Sequence, residues 1–124
     1  MRACAIAVIL LTLSTFVSAL EHTREPVEEI KKAVDDGKAV IVDVREKREW
    51  TAGHLTGALL VPLSELNETQ KVPDTIPKDK PIYVHCMVGG RALTATEILK
   101  KLGYDARAVG QKYGELCKTF GEVK

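Results

Sequence analysis

One short stretch, Cys86-Met87-Val88-Gly89-Gly90-Arg91, gathers the residue types needed to build and hold a nucleophile. The cysteine supplies a thiolate. The two glycines permit the φ values and close backbone approach that turn successive N–H groups toward one point. The arginine adds a fixed, forked positive charge. Ile82-Tyr83-Val84-His85 runs into this stretch as an apolar strand, and Ala92, Ala95, Leu99 and Leu102 follow it at helical spacing up to Gly103, a suitable residue to end a helix. Strand, thiol, glycine loop and helix start, in that order, aim amides and the positive helix end at the sulfur, where they favour its anion. The chemistry on offer is nucleophilic catalysis through a covalent intermediate. A buried, inert cysteine at a strand end is the plainer reading of the same residue.

The surrounding elements alternate. Pro26 opens an amphipathic helix marked by Val27, Ile30, Ala33 and Val34, which stops near Gly37,. Ala39-Val40-Ile41-Val42 is a continuous apolar run, as in a parallel strand buried on both faces, and Asp43-Val44-Arg45-Glu46 closes it,. A short helix over 46–52, a turn flanked by Gly53 and Gly57, and a strand at Ala58-Leu59-Leu60-Val61 come next. Ser64 is a candidate cap for a brief helix over 65–67, and the proline-rich stretch 71–81 is a loop,. After the Cys86 loop and its helix, Asp105 to Val109 reads as a strand and Tyr113 to Phe120 as a last helix. This pattern predicts an α/β fold: one domain over 20–124, with a mostly parallel sheet of four to five strands and helices on both faces. Ligand sites in such sheets lie at the carboxyl ends of strands. That rule selects the Cys86 loop and, beside it, Asp43 and Arg45.

Residues 1–19 read as a leader. Arg2, the apolar run from Ala3 to Leu13, and Ala19 with Val17 two places before it fit a secretory signal peptide cleaved after Ala19,. The expected mature chain is periplasmic or secreted, with no stable membrane association. The whole chain of 124 residues holds 18 basic and 17 acidic residues, a formal charge of +1. With no basic stripe, nucleic acid is not an expected partner. Three cysteines are too few for a disulfide scaffold, and no Cys/His spacing suggests a metal site,. Cleavage would remove Cys4 and leave Cys86 and Cys117.

At these residues the chain resembles the rhodanese-like domains, over roughly Val27 to Gly114. Cys86-Met87-Val88-Gly89-Gly90-Arg91 is similar to the family's Cys-x-x-Gly-x-Arg active loop. Asp43-Val44-Arg45-Glu46, then Trp50, Gly53-His54-Leu55 and Gly57-Ala58, are similar to its second signature. The resemblance implies a thiosulfate sulfurtransferase: Cys86 takes sulfane sulfur from a small donor as a persulfide and yields it to cyanide, a small thiol or a protein acceptor. It implies no cofactor. Arg91 would support the loop and meet the donor's oxyanion. Met87, Val88, Gly89 and Gly90 would line the sulfur site, while Asp43 and Arg45 would bind substrate or brace the sheet edge. Phosphatases and arsenate reductases of this fold have a longer loop than the four residues between Cys86 and Arg91. The same motifs also admit a non-catalytic binding module or a persulfide carrier. His54 is expected to be structural and His22 solvated. The first edge strand, confined to Leu20 to Arg24, is expected to be short or missing. Asn67-Glu68-Thr69 matches a glycosylation acceptor,. Cys117 would either pack or resolve an oxidised Cys86, and because Cys86 must stay free to turn over, no bridge between them is expected.

Overall fold

A computed structural model describes residues 21–124; the leader expected over 1–19, Cys4 included, lies outside the described residues. A parallel four-stranded sheet forms the centre, in the order β3-β1-β4-β5. β1 (Val40–Asp43) and β4 (Ile82–His85) pair along their whole length, from Val40 opposite Ile82 to Asp43 opposite His85. β3 (Leu59–Leu60) flanks β1, and β5 (Ala106–Ala108) flanks β4.

Alternation along the strands divides the core into two layers. Val42 and Val44, with Ile82 and Val84, pack with Leu66, Ala95 and Leu99, which α3 (Leu63–Thr69) and α4 (Gly90–Lys101) supply. Ile41 and Tyr83 point the other way, to Ile30 of α1 (Val27–Asp35) and to Leu116 and Phe120 of α5 (Tyr113–Phe120). Because both faces are covered, the central strands carry apolar residues at successive positions rather than alternate ones. This is the α/β sheet with helices on both faces that the sequence predicts.

Two local features differ from the sequence reading, and the first edge strand is as short as expected. The short helix expected over 65–67 extends from Leu63 to Thr69, and its N-cap is Pro62 rather than Ser64. Ser64 instead lies in the first turn, where its Oγ donates to Glu46 Oε2 at 2.7 Å. A small antiparallel ribbon joins β2 (His54–Leu55) to β6 (Glu122–Val123), a pairing that two-residue strands do not announce in sequence. The first edge strand reduces to one parallel bridge, His22 to Ala108, where the Thr23 N–H donates to the Ala108 carbonyl at 2.6 Å.

Candidate active site

β4 ends at His85, and the chain turns at once, so Cys86 stands at the carboxyl edge of the sheet facing the start of α4. Its Sγ accepts hydrogen bonds from the Gly89 N–H at 3.0 Å and the Ala92 N–H at 3.3 Å. Ala92 lies in the first turn of α4, where N–H groups have no partner within the helix,. The sulfur therefore occupies the place of a cap, and the helix dipole favours negative charge there. Gly89, the N-cap residue, has φ +103°, a left-handed conformation that aims its N–H inward at little cost only for glycine,. Cys86 is 1% exposed, whereas Met87 is 37% and Val88 65% exposed. The loop thus shelters the sulfur behind an apolar rim.

Arg91 departs from the expectation of an open fork. Its Nη1 donates to Glu49 Oε1 at 2.5 Å and its Nη2 to Glu49 Oε2 at 3.0 Å, so the guanidinium is committed to one carboxylate. Glu49 belongs to α2 (Lys47–Ala52), where it forms a capping box with Glu46, accepting from the Glu46 N–H at 3.1 Å. The hydrogen bond from Arg91 holds the Glu49 carboxyl far below its ordinary range, at about 2. The same bond raises the Arg91 pKa. Sequence reasoning missed Glu49. The available signal was the spacing of Glu46 and Glu49 at the start of a short helix, which marks a capping box and fixes the Glu49 carboxylate at that end of the helix.

Asp43 and Arg45 are buried together at the end of β1. Arg45 donates through Nε and Nη2 to Asp43 at 2.8–3.0 Å, and through Nη2 to the Gly53 carbonyl at 2.7 Å. Its guanidinium carbon stands 4.1 Å above the centre of the Tyr113 ring. Burial works against the Arg45 charge, but hydrogen bonding and attraction from Asp43 outweigh it and raise the pKa. Asp43 braces Arg45 and is wholly buried. Arg45 forms part of a cavity of about 250 Å³ that it shares with Glu49, Gly53, Met87, Tyr113 and Glu122. The cavity thus touches both the Cys86 loop, through Met87, and the carboxylate that holds Arg91.

The three histidines differ in environment. His54 stacks on Trp50 with ring centres 3.6 Å apart and bonds the Trp50 carbonyl through Nδ1 at 3.0 Å. His85 is fully buried; its Nδ1 contacts the Cys86 carbonyl at 3.3 Å, and Nε2 faces Asp43 Oδ2 at 3.7 Å with no hydrogen-bond partner. Donation from Nδ1 makes Nε2 a lone-pair nitrogen, so two acceptors face each other there. Burial is the main cause of a lowered His85 pKa and keeps the ring neutral. His22, expected in solvent, is instead half-buried, and its Nε2 bonds the Gly89 carbonyl at 2.9 Å. Cys86 and Cys117 are both free thiols. Cys117 Sγ lies 3.7 Å from Glu122 Oε2, which also accepts from the Tyr113 hydroxyl at 2.6 Å. Among the described residues no three His, Cys, Asp or Glu side chains gather as a metal site, and no helix is long and apolar enough to cross a membrane.

The comparisons with known proteins agree with this fold. A family model described as the rhodanese-like domain matches residues 26–110. YqhL of Bacillus subtilis, an uncharacterised protein, is 36% identical over 86 residues, covering 66% of this chain and 66% of its own length. A putative mitochondrial thiosulfate sulfurtransferase of Schizosaccharomyces pombe is 33% identical over 104 residues, covering 76% of this chain and 72% of its own. The solved structure of the human single-domain sulfurtransferase TSTD1 superposes with a TM-score of 0.64 at 30% identity, covering 73% of this chain and 90% of that one.

Proposed function

Since this chain belongs to the rhodanese-like domain family, we propose that it is an exported sulfurtransferase carrying sulfane sulfur as a persulfide on Cys86. The observation that carries this reading is the seat of Cys86 Sγ between the Gly89 and Ala92 amides. In the first half-reaction the Cys86 thiolate attacks the outer sulfur of thiosulfate. A Cys86 S–S bond forms, the donor's S–S bond breaks with its electron pair, and sulfite leaves. In the second, an acceptor thiolate attacks the outer sulfur of the persulfide and takes it away as a new persulfide, while Cys86 regains its electron pair. Both sulfur species on Cys86 are anions, so the backbone donors and the helix dipole at the loop favour both halves of the cycle.

Arg91 acts here through the loop. Its bidentate bond to Glu49 ties the first turn of α4 to α2 and leaves a neutral pair beside the sulfur rather than a free cation. Donor binding then falls to the backbone donors of the loop. A loop of four residues between Cys86 and Arg91 favours a single sulfur atom over a tetrahedral phosphate,. Cyanide, a low-molecular-weight thiol or a thiol on a partner protein can serve as acceptor. The leader pattern over 1–19 supports export, and N-terminal sequencing of the protein from culture fractions tests it: Leu20 as first residue is expected, and Met1 on all the recovered protein would refute cleavage.

Mass spectrometry of the purified protein after thiosulfate treatment tests the chemistry. One additional sulfur atom, mapped to the Cys86 peptide and lost on adding cyanide, is expected. In Cys86→Ser the adduct and thiocyanate formation should both vanish while the circular dichroism spectrum is retained. Thiocyanate production that survives this substitution would move the nucleophile elsewhere.

A further inference from the structure

His22 lies in the segment that leads into α1. Its ring lies between two glycines: a Cβ on Gly89 would come within 2.9 Å of His22 Nε2, and one on Gly110 within 2.9 Å of His22 Cγ. The segment carrying it is pinned to the edge of β5 by the bridge to Ala108 and the Thr23 N–H bond to the Ala108 carbonyl. Two residues further on, Glu25 accepts from Arg107 of the same strand at 2.8 Å and from the Tyr83 hydroxyl of β4. The imidazole is therefore held by an anchored backbone on one side and confined by bare backbone on the other.

From this place His22 Nε2 donates to the Gly89 carbonyl at 2.9 Å. That carbonyl also receives the Leu93 N–H at the longer distance of 3.3 Å, the first bond of α4. Gly89 is the residue whose own N–H holds Cys86 Sγ, and its left-handed φ of +103° is what points that N–H at the sulfur. A glycine is free to leave such a conformation, so something outside the loop must keep it there. We propose that His22 is a positioning residue of the sulfur site: by bonding the Gly89 carbonyl it fixes the N-cap of α4 and keeps the Gly89 N–H aimed at Cys86. The role is one of orientation, since His22 bonds the loop carbonyl and makes no bond to the sulfur. It deepens the sulfurtransferase reading and rests on it for the substrate, but the effect on the thiol can be read without any sulfur transfer.

The test compares three full-length variants. His22→Ala removes ring and donor, His22→Phe keeps a ring between the two glycines but has no donor, and His22→Gln keeps a donor of similar reach. Two rates are measured on the rising limb of the pH profile: alkylation of Cys86 by iodoacetamide, and persulfide loading from thiosulfate. Loss of one hydrogen bond to a charged group lowers the thiolate population about tenfold, and intrinsic nucleophilicity recovers about half of that logarithm. Alkylation should therefore slow about threefold in His22→Ala and His22→Phe. Persulfide loading should slow about tenfold, because its product anion needs the same donor. His22→Gln should stay within a factor of about two of the parent in both. Should His22→Ala fail to fold, the Phe and Gln pair decides alone. Parental rates in His22→Phe, or equal slowing in His22→Gln, would overturn the proposal. If the parent protein takes no sulfur from thiosulfate and alkylation still separates Phe from Gln, the sulfurtransferase reading fails and the positioning role stands.

Discussion

The pair formed by Arg91 and Glu49 shows how a residue that looks catalytic in sequence can work at one remove. A guanidinium free to meet an anion would act directly on substrate; one paired bidentately with Glu49 chiefly fixes the distance between α2 and α4,. Lysine keeps the charge but not the fork. Arg91→Lys is therefore expected to lower kcat/KM for thiosulfate several-fold, and the Cys86→Ser protein carrying it should show a lower unfolding midpoint than Cys86→Ser alone. An activity equal to the parent's would mean the fork is dispensable. The pair also has a pH signature. The Glu49 carboxyl is lowered from 4.5 to about 2 in the folded protein. The unfolded state thus takes up the proton first as acid is added. The contribution of Glu49 is full above about pH 4.5 and disappears as pH falls through about 2. Because both side chains are partly exposed, with 35% and 22% of their surface accessible, the contribution at neutral pH is about 1 kcal/mol after solvent screening. Urea unfolding of Glu49→Gln should show that deficit at pH 7 and lose it near pH 2; a deficit independent of pH would point to packing instead.

At the scale of elements, the junction of β4, the loop and α4 concentrates the constraints. Gly89 combines a left-handed φ with two close neighbours, His22 Nε2 and the Gly110 carbonyl oxygen, which a Cβ would meet at 2.9 and 3.3 Å. Gly89→Ala therefore imposes backbone strain and displaces His22 together, at a cost of about 1–3 kcal/mol. Denaturant unfolding should register that loss, and alkylation of Cys86 should slow with it. Gly90, which has no neighbour within 4 Å of an added Cβ and no left-handed φ, is the internal control. Gly90→Ala should leave both measurements near the parent's values. The opposite ranking of the two variants would show that the loop is shaped by something other than the Gly89 backbone.

For the molecule as a whole, His85 links stability to pH. Its ring is buried against Asp43, Arg45 and Tyr113, and burial lowers its pKa from 6.5 despite attraction from Asp43. The folded state resists a proton that the unfolded chain accepts. Stability is thus complete above about pH 6.5 and declines as pH falls below it toward the lowered folded value. Denaturation midpoints measured from pH 8 down to pH 5 should fall in the parent. They should stay flat in His85→Phe, which fills the same space and removes the unpartnered Nε2. A decline of equal size in His85→Phe would assign it to other groups.

The elements that position the site were legible in the sequence because each rests on local patterning. β-branched runs marked β1 and β4, the spacing of Ala92, Ala95 and Leu99 marked α4, and the pair Gly89-Gly90 marked the turn that aims an amide at Cys86, of which the structure uses Gly89. The parallel sheet followed from those patterns, and the family from the resemblance of the motifs they carry. Tertiary structure alone decided which side chains meet across the chain. Glu49 reaches Arg91 from 42 residues away, and His22 reaches Gly89 from 67. Residues 122–123 pair with His54–Leu55 in a ribbon too short to leave a period. The physical reason is common to all three. Hydrophobic periodicity reports which face of an element is buried, but a polar side chain is satisfied by whichever partner the packed elements bring within about 3 Å.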